Sequence, residues 1–251
     1  MGKIIAFVNQ KGGVGKSTSV FNVAHTLESM GISTLMADLD SQATLTLFAG
    51  HKPHTLELSI ADALGKDKEE VSLNDVIIEN RLYLDLAPSS DVLADVEFDM
   101  PRRRLPDLVL RKALEPIKND YEYILIDCPP HLGLLTLNAL AASDYVIIPC
   151  STDYAPFVGL TKLINTVEEV QREVNENLKI AGVVATLFDM RANDDNAVLE
   201  GLNKNYNVIA VVKRLQVAKN SIYDGRSVLD VDPNSDVAKA YIDVAKYIIS
   251  L

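Results

Sequence analysis

The chain has 251 residues, 48% of them hydrophobic, and a formal net charge of −11 at pH 7. That is enough apolar material for the core of one large α/β domain, and no Pro/Gly/Ser-rich linker, internal repeat or low-complexity tract divides it. So acidic a total excludes a surface that grips nucleic acid or anionic lipid all over, and any polyanion contact has to be local. No apolar run approaches the roughly 20 residues that span a bilayer, and no charged segment followed by an apolar stretch opens the chain, which predicts a cytoplasmic protein.

The first element is the apolar run 3–9, expected to be a parallel strand buried on both faces. It leads into Gln10-Lys11-Gly12-Gly13-Val14-Gly15-Lys16-Ser17-Thr18, a variant of the phosphate-binding loop in which Gln10 stands where the first glycine usually does. Gly12, Gly13 and Gly15 are candidates for the backbone angles that turn successive N–H groups toward phosphate oxygens. The helix expected over 16–30, with Val20, Val23, Ala24 and Leu27 at helical spacing, directs its positive dipole end at the same anion. In such a loop Lys16 neutralises β- and γ-phosphate charge and the Ser17 hydroxyl holds Mg²⁺. Lys11 is additional: one compact triphosphate hardly needs two lysines from a single loop, so the second is available to a phosphate bound in another subunit.

The next strand, 33–38, delivers Asp38 and Asp40 at alternate positions, so that both can look toward the loop. Region 41–80 is the least regular; it holds a short helix at 57–64 and a polar loop from Gly65 to Glu70. Strands follow at 82–87, 122–127, 144–149, 179–187 and 207–212, and helices at 104–116, 133–142, 157–175, 194–205 and 234–250. Strands separated by helices predict a single-domain α/β fold with a mostly parallel twisted sheet covered on both faces. Strand 122–127 ends in Asp127, the acid that reaches the Mg²⁺ water shell in phosphate-loop proteins. Ligands of such sheets bind beyond the carboxyl ends of the strands, where Asp38, Asp40 and Asp127 are expected to converge. Asp127 and Asp40 are candidates for the metal, Asp40 also for orienting or deprotonating the attacking water, and Asp38 is divided between a structural and a functional role. Cys128 and Cys150 lack metal-ligand spacing and are expected to be reduced core thiols. Basic residues gather in Arg102-Arg103-Arg104 with Arg111-Lys112, and more loosely in Arg191, Lys204, Lys213, Arg214, Lys219 and Arg226; each set is either a binding patch or a solvated face.

Together Lys11–Thr18, Asp38-Leu39-Asp40-Ser41-Gln42 and the segment from Ile126 to Thr136 resemble the ParA/Soj partition ATPases, of the deviant Walker A group that also contains MinD. The likeness continues through Asn138-Ala139-Leu140, the segment from Ala142 to Pro149, Gly159-Leu160 and the C-terminal helix, and is weaker over 45–110. It implies a phosphate-loop ATPase binding ATP and Mg²⁺ through Lys11, Gly12, Gly13, Val14, Gly15, Lys16, Ser17 and Thr18. It also implies an ATP-bound homodimer in which Lys11 reaches the partner's nucleotide, nonspecific binding of double-stranded DNA over the nucleoid, and hydrolysis at Asp40 stimulated by a ParB-like or other adaptor. Arg191 matches a basic position implicated in DNA contact, and Arg214, Lys219 and Arg226 are further candidates. Departures include Ser41, where relatives commonly have proline, Lys213-Arg214-Leu215 in place of a Pro-Arg-Asn segment, and the stretch from Ser151 to Phe157.

Other readings divide from this one on specific features. A MinD-like membrane cycle needs a basic amphipathic C-terminal helix; here Val237, Tyr241, Val244 and Ile248 form one stripe among mixed charges, which suits a docked core helix, so no membrane partner is expected. A ParA-type positioner of a non-DNA cargo carries the same motifs. An iron–sulfur reductase component needs clustered cysteines, a synthetase needs a substrate pocket, and a pure binding switch has no use for Asp40.

Overall fold

The computed structural model describes residues 2–65, 71–82, 84–152, 156–214 and 225–251. Its strands are β1 (Lys3–Phe7), β2 (Thr34–Asp38), β3 (Ile78–Arg81), β4 (Leu84–Ala87), β5 (Tyr123–Asp127), β6 (Tyr145–Ser151), β7 (Lys179–Phe188) and β8 (Val208–Lys213). They form one sheet in the order β3-β4-β2-β5-β1-β6-β7-β8. Every pairing is parallel except β3 with β4. The helices that matter below are α1 (Lys16–Ser29), α2 (Thr44–Phe48), α3 (Ile60–Leu64), α4 (Leu73–Val76), α5 (Leu93–Asp99), α6 (Val109–Leu114), α7 (Leu134–Ala142), α8 (Pro156–Glu173), α9 (Asn193–Asn205) and a C-terminal helix, Asp236–Ser250.

The two faces of the sheet explain the near-continuous apolar strands. Along β1, Ile4 and Ala6 enter a core that also holds Leu135, Ala139 and Leu140 of α7 and Leu160, Leu163 and Val167 of α8. Ile5 and Phe7 enter the opposite core with Val20, Val23 and Leu27 of α1 and Tyr241, Val244 and Ile248 of the C-terminal helix. Alternation with period two thus serves two hydrophobic layers rather than one wet and one dry face. The C-terminal helix starts at Ser235, whose hydroxyl accepts from the Ala238 amide at 3.1 Å, and its apolar stripe is spent on α1 and β8.

Two expectations need correction, both in the weakly patterned first half. The sheet has an eighth strand, β3, an antiparallel edge strand whose Ile78-Glu79-Asn80-Arg81 sequence has one apolar residue, as suits an exposed edge and as hides it from pattern reading. The helix expected over 104–116 is α6 alone, entered through a 3₁₀ turn at Pro106–Leu108, because Pro106 disfavours helical angles at the preceding Leu105, which sits at φ −137° and ψ 73°. The helix expected at 57–64 is α3, begun by a capping box between Ser59 and Asp62. Of the polar loop expected from Gly65 to Glu70, residues 66–70 lie outside the described residues.

Candidate functional site

The loops after β1, β2 and β5 meet at the carboxyl edge of the sheet, where β1 lies between β5 and β6. In the phosphate loop, Gly13 (φ 74°) and Gly15 (φ 84°) occupy the left-handed region that glycine enters without strain. Gly12 does not, so two of the three loop glycines, not all three, are required by backbone angle. Gly15 is the N-cap of α1 and supplies no side chain, which leaves the first-turn amides for an anion.

Three residues to which the sequence assigned no role hold this loop. The Asn9 carboxamide donates to the Pro149 carbonyl (2.7 Å) and accepts from the Lys11 amide (2.9 Å), tying the loop to β6. Gln10, the residue in the glycine position, donates to the Gly159 carbonyl of α8 at 2.7 Å. From β7 the Thr186 hydroxyl donates to the Val14 carbonyl at 2.7 Å. Gln10 alone carried a visible signal, as the departure from the usual loop pattern.

The two loop lysines are placed differently. Lys16 is buried, its ammonium 3.5 Å from the Lys11 carbonyl; desolvation lowers its pKa, and the charges of Asp127, Cys128 and Asp40 offset part of that. Lys11 is exposed, with Nζ 3.5 Å from the Ser151 hydroxyl at the end of β6.

The three acids also separate. Asp38 and Asp127 are fully buried and stand in register across β2 and β5. Asp38 accepts from the Asp40 amide (3.1 Å), the Thr46 amide (2.9 Å) and the Thr46 hydroxyl (2.8 Å), and burial pushes its pKa up to about 7 against those bonds. Neither carboxylate oxygen of Asp127 meets a donor in good hydrogen-bond geometry among the described residues, although the Ser17 hydroxyl is close enough to act on it. Burial, then the Asp38 charge, raise its pKa well above the carboxylate range, with Ser17 and Lys16 pulling it back. Asp40 is half-buried and accepts from the Gln42 amide at 3.0 Å. Cys128 and Cys150 are buried, and burial pushes the Cys128 thiol up, so both behave as core residues.

Among the described residues no cluster of three or more His, Cys, Asp or Glu side chains could hold a metal by itself. The hydroxyl of Ser17 and the orphaned oxygens of Asp127 are the hard oxygen donors that Mg²⁺ takes together with phosphate and water, and they fit that ion. Of the DNA candidates, Arg191 and Arg214 are exposed, and the Arg214 amide donates to the carbonyl of Phe188, three residues before Arg191. Arg226 is exposed and donates to the Asp230 carbonyl at 3.3 Å, and Lys219 lies outside the described residues. In the other basic set Arg102 pairs with Asp99 and stacks on the Phe98 ring, as a solvated face does.

This strand–loop–helix with acids at the neighbouring strand ends defines a phosphate-loop nucleotide-binding protein of the doubly wound α/β class. A model of the AAA domain family matches residues 2–180. The sporulation initiation inhibitor protein Soj of Bacillus subtilis is 38% identical over 250 residues, 98% of each chain. The chromosome partitioning protein ParA of Myxococcus xanthus is 39% identical over 201 residues, 80% of this chain and 70% of that one. A crystal structure of cobyrinic acid a,c-diamide synthase from Mycobacterium smegmatis with bound ATP analog and magnesium superposes with a TM-score of 0.85 at 29% identity, covering 99% of this chain and 95% of that one. The chain belongs to the AAA domain family and, within it, to the Soj/ParA partition ATPases. No helix among the described residues is long and apolar enough to cross a membrane.

Proposed function

We propose that this protein is an ATP-hydrolysing partition switch: ATP and Mg²⁺ drive it into a homodimer, the dimer binds double-stranded DNA without sequence preference, and a ParB-like adaptor stimulates hydrolysis and release over the nucleoid. The observation that carries the reading is the division of labour between the loop lysines. Lys16 is buried near Asp127 and Asp40, whereas Lys11 projects from the same loop at the surface. A buried lysine serves the nucleotide of its own subunit, and an exposed one is placed to serve a partner's.

In this mechanism the loop amides and Lys16 hold the phosphates, and Ser17, Asp127 and Asp40 are the residues that would hold magnesium. When bound, the ion would supply neutralisation of phosphate charge. Asp40 orients the attacking water and takes up its proton, and Lys11 of the second subunit stabilises charge developing on the transferred phosphoryl group. Asn9, Gln10 and Thr186 keep the loop in the shape that phosphate requires. Arg191 and Arg214, doubled by dimerisation, give an acidic protein a local basic face, so DNA binding is expected to weaken steeply with salt.

Gel filtration with a non-hydrolysable ATP analogue and Mg²⁺, followed by retention of arbitrary duplex DNA at low and high salt, tests this reading. A dimer that binds DNA only with nucleotide supports it. A protein that remains monomeric under those conditions refutes it, and analogue-dependent binding to anionic vesicles instead of DNA favours a membrane cycle. Hydrolysis that requires a carboxylic acid and an amide donor favours a synthetase of the kind named by the Mycobacterium smegmatis structure.

A further inference from the structure

We infer that Thr46 is a positioning residue for hydrolysis, acting through Asp38 on Asp40; the inference rests on the ATPase reading above. The chain leaves β2 at Asp38, turns through Asp40 and re-enters regular structure in α2, which contains Thr46. Asp38 grips both ends of this turn: one oxygen accepts from the Asp40 amide at 3.1 Å, the other from the Thr46 amide at 2.9 Å and the Thr46 hydroxyl at 2.8 Å. Because that hydroxyl gives its only proton to Asp38, it is an acceptor toward the Ser89 amide, 2.9 Å away just beyond β4. Asp38, Thr46 and Ser89 are all fully buried.

The consequence falls on Asp40. Its amide is fixed by Asp38, its carbonyl accepts from the Ala43 amide at 2.8 Å, and its carboxylate closes onto the Gln42 amide at 3.0 Å. Between Asp40 and Thr46, Ala43 is held at φ 50°, a left-handed conformation unfavourable for a residue with a side chain. Such strain persists only where the surroundings over-determine it, and here the Asp38 clamp does so. An apolar contact would close the turn just as tightly without burying a carboxylate. What the clamp adds is a fixed direction for the Asp40 side chain, and misplacing a reacting group by about 1 Å costs up to about 100-fold in rate.

The test compares Thr46→Val, which keeps the shape and loses the hydroxyl, with Thr46→Ser, which keeps the hydroxyl. Thr46→Val is expected to lower kcat for ATP about tenfold, with KM and analogue-driven dimerisation within about twofold of wild type, and Thr46→Ser to restore kcat to within about twofold. Independently of turnover, the Asp40, Thr46 and Ser89 amides of the unliganded wild type are expected to exchange with solvent at a common slow rate, and to accelerate together in Thr46→Val. A Thr46→Val protein with wild-type kcat, or a loss not restored by serine, overturns the inference. So does an Asp40 amide that exchanges as if unprotected in wild type, which decides the matter should Thr46→Val not fold. A wild type that fails to hydrolyse ATP overturns the ATPase reading itself, whereas an active wild type with an indifferent Thr46→Val overturns this inference alone.

Discussion

Asp38 and Asp127 are two fully buried carboxylates in register on adjacent strands, and only Asp38 meets hydrogen-bond donors in good geometry among the described residues. Thr46 and the Asp40 amide satisfy the first, so it belongs to the turn. The second has no such donors, which is why it is the candidate for the metal. An orphaned buried carboxylate is costly in the unliganded protein, and in the function proposed above a bound cation would relieve that cost.

Asp127→Asn is therefore expected to stabilise the unliganded protein while weakening Mg²⁺-dependent nucleotide binding. Relief of the burial penalty is worth about 1–3 kcal/mol, at roughly 2–4 °C of Tm per kcal/mol for a chain of this size. Thermal melts without ligand, and with Mg²⁺ and analogue, check both halves; an unliganded Asp127→Asn that melts below wild type counts against the orphan reading.

Lys16→Ala and Lys11→Ala are expected to fail at different stages. Removing Lys16 deletes the buried charge on the phosphates and costs roughly 2–5 kcal/mol of nucleotide binding, so titration calorimetry is expected to detect little or no ATP. Lys11→Ala is expected to bind ATP with near wild-type affinity yet stay monomeric in sedimentation with analogue and Mg²⁺. Dimerisation by Lys11→Ala would contradict its assignment to the partner's nucleotide.

Asp40→Ala is expected to bind ATP and dimerise but lose at least about 100-fold in kcat, the usual worth of a positioned general base. Its dimer is then expected to persist on DNA after wild type has dissociated. Phosphate release and DNA dissociation measured side by side decide this, and normal turnover would remove Asp40 from catalysis.

His25 of α1 predicts a pH effect on stability. Neither ring nitrogen has a hydrogen-bond partner among the described residues, and burial, then the Arg81 charge, lower its pKa to about 4 from 6.5. The unfolded chain binds a proton that the folded one refuses between those values, so this contribution is complete above about pH 6.5 and is lost as pH falls toward 4. Asp38, raised to about 7 from 3.8, runs the opposite way over an overlapping range. The quantity to measure is the difference in unfolding free energy between wild type and His25→Gln, expected to shift by about 3 kcal/mol against wild type from pH 7 to pH 4. A difference independent of pH would show that His25 is protonated in the fold.

The helices and strands that were legible in advance were those with strong periodic signals, such as β5 with five buried residues and the C-terminal helix with its single stripe. Apart from a four-residue helix at Val228–Val231, most of what escaped lay between 41 and 110. There β3 is a polar edge strand, α2 and α4 are only five and four residues long, and α5 buries only Leu93. Elements that bury little carry little pattern. Asp40, Asp127 and the loop lysines were legible as candidates because phosphate chemistry calls for acids at strand ends and lysines in the glycine loop, whereas Thr46, Thr186 and Asn9 use ordinary side chains that no motif marks.

The sequence by itself determined the class of protein and marked its candidate reactive groups, because glycines, lysines and terminal acids lie within a few residues of the strands that deliver them. Only the tertiary structure decided which groups are satisfied and which are left for a ligand. Thr186 meets Val14 across 172 positions of chain, Ser89 meets Thr46 across 43, and Asp38 meets Asp127 through strand register. Those pairings depend on how distant strands lie side by side, which no local pattern encodes.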